Sequence, residues 1–74
     1  MNAMKEMLEQ KRTRLADEYQ SRLNWIRYAV SEEGEVESIA FEQNLQNQVF
    51  FMHEIKTAIR EIDKQIEMLE LLQS

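Results

Sequence analysis

The sequence predicts an all-α fold, an antiparallel two-helix hairpin that pairs with a second copy into a four-helix bundle. Three observations carry that expectation. Apolar residues recur at steps of three and four along two long stretches. The chain has no proline and one glycine, Gly34, which falls between those stretches. The apolar face of the second stretch is also wider than a single neighbouring helix can cover.

In the first stretch Met4, Leu8, Leu15, Tyr19, Leu23, Ile26 and Val30 form a helical stripe, broken once at Lys11 and Arg12, which sets a helix over about residues 3–31. An acidic turn over 32–36 follows. Gly34 suits the left-handed position that ends a helix, and Ser38 can cap the next one. The second helix, about residues 37–73, carries Phe41, Leu45, Met52, Ile55, Ile59, Ile62, Ile66 and Leu69, with Gln48 filling the missed step. At about 100° per residue, Phe51 and Ala58 fall on the flank of that stripe, so its buried face calls for two neighbours. No repeat or linker divides the chain, and residues 1–74 read as one helical-hairpin domain.

A chain of 74 residues buries little apolar surface unless something staples it. There are no cysteines, which removes disulfides and thiolate metal sites and leaves oligomerisation as the staple. With 43% hydrophobic and 31% charged residues the balance is that of a globular protein, so the chain is expected to fold. A net charge of −5 opposes binding to nucleic acid and to anionic membranes. No apolar run approaches the roughly 18 residues of a spanning helix, and MNAMKEMLEQKRTRL lacks the apolar core of a signal peptide, which gives the expectation of a soluble cytoplasmic protein.

Charge is divided between the elements. Helix 1 holds six basic and four acidic residues, the segment SEEGEVES at 31–38 four glutamates, and the rest of helix 2 six acidic and three basic residues, a bias that draws the helices together. Counting back from Gly34 sets Arg12 near residues 55–60 and Arg22 near 46–48, where Arg22 can lay its stem over the core and donate to Gln48. Such a polar contact fixes register at some expense of stability. The run EQNLQNQ, residues 42–48, is then either a wet segment of the bundle or, as expected here, a solvated face with Gln48 alone at the seam.

Catalytic chemistry finds little to work with. His53 is the only histidine, and HEIKT begins like the HExxH metalloprotease motif but has Thr57 where the second ligand belongs. A di-iron bundle needs Glu-x-x-His pairs, and Phe50 stands three residues before His53. One glycine cannot form a phosphate loop, and Glu32 and Glu33 lie in a solvated turn with no pocket to shift them. The expectation is no enzyme, no metal and no cofactor, with His53 on the surface.

Subtracting the core leaves apolar residues in unexpected places. Trp25 lies on the flank of helix 1 and Tyr28 nearly opposite its stripe. Phe50 points away from the core among Gln43, Asn47 and Glu54, and MLELLQS brings Met68, Leu71 and Leu72 to several sides of the last turns. Exposed aromatics of this kind anchor partner contacts. These six residues are the candidate partner-binding set of a small chaperone, adaptor or inhibitor acting on a protein partner.

GEVESIA, residues 34–40, resembles the tip of the helical hairpin in Gre-type transcript-cleavage factors: Gly34, Glu35, Val36 and Ala40 match the family's glycine, acid, aliphatic and later alanine. The resemblance implies a hairpin entering the secondary channel of bacterial RNA polymerase, with Glu35 facing the catalytic magnesium. Ser38 stands where the family has its second acid, leaving Glu37 and Glu33 as the neighbouring carboxylates. These 74 residues also hold no counterpart of that family's globular domain. The alternatives separate experimentally. If the turn only links the helices, Glu35→Gln with Glu37→Gln leaves circular dichroism, assembly and partner binding unchanged, which is the expected result, because each glutamate contributes at most about 0.5 kcal/mol through the helix terminus. Loss of activity with folding intact assigns the tip a working role.

Overall fold

A computed structural model describes residues 2–32 and 39–73. They form two α-helices, α1 (Ala3–Glu32) and α2 (Ile39–Gln73). The pair packs as an antiparallel hairpin in a rod of 54 × 16 × 13 Å. Lys5 meets Glu70 at the open end, and Trp25 meets Phe41 near the turn. The expected turn at 32–36 meets the structure only at Glu32, which closes α1. The Gly34 and Ser38 caps and the acidic tip lie outside the described residues.

Local chemistry accounts for the start of α1. Asn2 Oδ1 accepts a hydrogen bond from the backbone N–H of Lys5 at 3.2 Å, and its carbonyl accepts from Glu6 N–H at 3.1 Å, so Asn2 is the N-cap. Inside the helices Thr13 and Thr57 return their hydroxyls to the carbonyls four residues back, those of Glu9 and His53.

The core is a single seam. Its buried residues are Ala29 on α1 and Met52, Ile55 and Ile62 on α2. Leu8, Leu15, Tyr19 and Ile26 of α1, and Phe41, Leu45, Gln48, Ile59, Ile66 and Leu69 of α2, are half-buried along it. The expected stripe departs from this seam at both ends of α1. Met4 and Val30 are exposed, Val30 by 53%, while Ala29, which the stripe omits, is 1% exposed. The cause is helical phase. Two long helices stay in contact along a repeat of 3.5 residues, which runs through 15, 19, 22, 26 and 29, whereas steps of four from 15 to 19 to 23 drift toward the flank. Leu23 therefore lies on the flank, lining a groove with Val49 and His53, and Val30 lies beyond the contact.

The cross-hairpin ion pairs also lie further along α2 than counting predicts. Arg12 Nε donates to Asp63 Oδ1 at 2.6 Å and Nη2 to Oδ2 at 3.4 Å, one turn past the expected 55–60. Lys5 Nζ lies 3.1 Å from Glu70 Oε1. Side chains lean toward their own helix N-terminus. In an antiparallel pair the α1 cations therefore lean toward the open end and the α2 carboxylates lean toward the turn, so each cation meets an acid further from the turn. Hydrogen bonding to Asp63, and then its charge, raises the Arg12 pKa above its ordinary value. Both side chains are about half exposed, so the pair sets register more than it stabilises the fold.

Candidate protein-binding surface

Two helices leave two open sides to their seam. On one side, near the open end, Met4 and Leu8 of α1 line a shallow apolar groove with Gln65, Met68, Leu69 and Leu72 of α2. On the other side Tyr19, Leu23 and Ile26 face Val49, Met52 and His53, and Lys56 Nζ stands 5.9 Å from the centre of the Tyr19 ring.

Near the turn the first side is aromatic and cationic. Arg22 lies across the hairpin, its Nη1 donating to Gln48 Oε1 at 2.7 Å and its Nη2 to Glu18 Oε1 at 2.9 Å, with its guanidinium 5.0 Å from the centre of the Phe51 ring. The contact to Gln48 that the sequence predicts is present. Gln43, Asn44, Gln46 and Asn47 are exposed and Gln48 is half-buried, so EQNLQNQ is a solvated face with Gln48 alone at the seam. Arg22 Nε is buried without a hydrogen-bond partner among the described residues. An arginine nitrogen left without a bond at the seam carries a desolvation cost there.

The six candidate partner-binding residues do not form one patch. Trp25 is half-buried and stacks on Phe41, ring centroids 6.4 Å apart and planes at 22°, which makes it part of the α1–α2 contact as well as of the flank. Tyr28, a turn later, is 58% exposed, and Phe50 is 59% exposed and edge-on to Phe51 at 5.9 Å. Met68 and Leu72 share the open-end groove, where Leu72 is 80% exposed; Leu71 is exposed but does not line that groove. Sequence reasoning missed Met4, Met7, Val30, Ile39, Val49 and Phe51 as exposed apolar residues. The available signal was heptad position: Met4 sits seven residues from Lys11, and Val49 seven from Lys56, both flanking the seam.

His53 is exposed, and among the described residues no group of three His, Cys, Asp or Glu side chains gathers to hold a metal ion. No helix among the described residues is long and apolar enough to cross a membrane. Comparison of the chain with protein-family models, with curated proteins and with solved structures gave no match.

The Arg22–Gln48 pair gives a direct test of what fixes the seam. Gln48→Leu leaves the guanidinium facing an apolar wall and is expected to lower unfolding stability by about 1–2 kcal/mol, whereas adding Arg22→Met recovers most or all of that loss. Urea titration followed by circular dichroism reads both. A Gln48→Leu variant as stable as the parent removes the pair from any part in holding the hairpin.

Proposed function

We propose that this chain is a non-enzymatic, cytoplasmic protein-interaction module, a small chaperone, adaptor or inhibitor, that assembles as a homodimeric four-helix bundle and contacts its target through its helical surface. One observation carries the reading: Ala29, Met52, Ile55 and Ile62 alone are buried, while eleven large apolar side chains among the described residues stand substantially exposed. An excess of exposed apolar side chains over buried ones, spread along both flanks of the seam, is what a hairpin awaiting a partner presents. The mixture of methionines and aromatics supports it further, since flexible thioethers adapt to a partner helix and rigid rings anchor one. The elongated, slightly grooved shape suits helix-on-helix docking.

Sedimentation equilibrium at micromolar concentration is expected to return the mass of two chains, and a well-folded monomer overturns the assembly. For the target, capture from the native host is expected to bring down a protein at near-stoichiometric amounts. Trp25→Ala with Tyr28→Ala is then expected to weaken that contact by about 1–4 kcal/mol, read at a concentration where circular dichroism and sedimentation match the parent's, because Trp25 also stacks on Phe41. Recovery of a bound small molecule and no protein overturns the interaction class.

A further inference from the structure

On one side of the seam the α1 row of residues matches itself in reverse. Along α1, at intervals of seven residues, stand Met4, Lys11, Glu18 and Trp25: apolar, cation, anion, apolar. Along α2, again at intervals of seven, stand Phe51, Ala58, Gln65 and Leu72. Residues seven apart hold the same flank of a two-helix seam. Contacts place these two rows on the same flank. Met4 shares a groove with Gln65 and Leu72. Glu18 bonds the Arg22 that covers Phe51.

The hairpin register brings the centres of the two rows level. Residue numbers across the hairpin add to 75 at Arg12–Asp63 and to 70 at Arg22–Gln48. The point midway between Lys11 and Glu18, which is also midway between Met4 and Trp25, therefore lies opposite roughly residues 56–60, with Ala58 at their middle. A small side chain there lets two backbones approach closely.

We propose that a second copy of this chain covers this side in an antiparallel arrangement, α1 on α1 and α2 on α2. The two-fold axis passes between Lys11 and Glu18 and through Ala58. Met4 of one chain then rests on Trp25 of the partner subunit, Lys11 pairs with Glu18 of the partner subunit, each contact occurs twice, and Ala58 abuts its own equivalent. The proposal rests on the dimer reading above and specifies its surface.

Exposed area calls for an occupant the size of a second copy, and charge sets how that copy lies. The chain exposes 5985 Å², whereas a compact monomer of its mass exposes about 4,800 Å². The excess of about 1,200 Å² exceeds the roughly 800 Å² that each partner contributes to a stable interface. Charge decides the orientation. The turn region holds Glu32, Glu33, Glu35 and Glu37, and a parallel pairing gathers both sets at one end. The antiparallel pairing separates them by the length of the rod.

The absence of cysteine makes disulfide trapping clean. Ala58→Cys is expected to form a covalent dimer rapidly under mild oxidation. Ala16→Cys, a matched half-buried alanine that lines the opposite side with Tyr19 and Lys56, is expected to stay reduced, as is Met4→Cys, whose copies end far apart. Sedimentation of each reduced variant runs in parallel. Lys11→Glu is expected to weaken the dimer about tenfold, and adding Glu18→Lys to restore it. A dimer that traps through Ala16→Cys but not Ala58→Cys overturns the assigned side and leaves the dimer reading standing. Trapping through Met4→Cys overturns the antiparallel orientation. A chain that sediments as a monomer throughout overturns the dimer reading and this inference with it.

Discussion

A pair of helices shares one line of contact, and every other feature of this molecule follows from that limit. Each helix offers the line about one residue in three or four, and the rest of its apolar side chains have nowhere to go within the hairpin. Here the line encloses Ala29, Met52, Ile55 and Ile62, and leaves Phe51, Val49, Met68 and Leu72 exposed on its flanks. For a chain of this size the seam is thin support against the entropy of ordering the backbone. On the proposed reading stability and function draw on the same surface, because a chain that covers the flanks also completes the core.

Polar chemistry at the seam supplies direction in place of strength. Lys5–Glu70 and Arg12–Asp63 lie at its edge, where water weakens ion pairs, yet both are satisfied only in one register of α1 on α2. Arg22 goes further inward, bonding Gln48 and covering Phe51, and leaves Nε without a hydrogen-bond partner among the described residues. An apolar residue at position 22 would pack with less penalty but would not distinguish one register from the next. The basic bias of α1 and the acidic bias of α2 act on the same choice from longer range.

Much of the hairpin was legible because its signals are local or periodic. Two stretches of helical spacing around one glycine gave the helices, and an arginine opposite a glutamine at equal distance from the turn gave the Arg22–Gln48 bond. What misled the reading was geometry that spacing does not encode. Val30 continues the stripe by four but misses the seam, and Ala29, too small to register as a core residue, fills it. Arg12 finds Asp63 because both side chains lean along the helices, a displacement invisible to counting. The exposure of Met7 and Ile39 was hidden for another reason, since exposure depends on how many neighbours a helix has, which spacing along one chain does not encode. The resemblance at residues 34–40 falls largely on positions outside those described, so the acidic tip stands where the sequence left it.

The central claim is that the hairpin becomes stable when another chain covers its flank, and this makes stability depend on concentration. Thermal unfolding followed by circular dichroism, across a hundredfold range of protein concentration, measures that dependence directly. The account predicts that Tm rises steadily with concentration and that helicity falls on dilution. A Tm that stays constant over the whole range, with full helicity at the lowest concentration, would contradict it, because the hairpin would then be stable on its single seam.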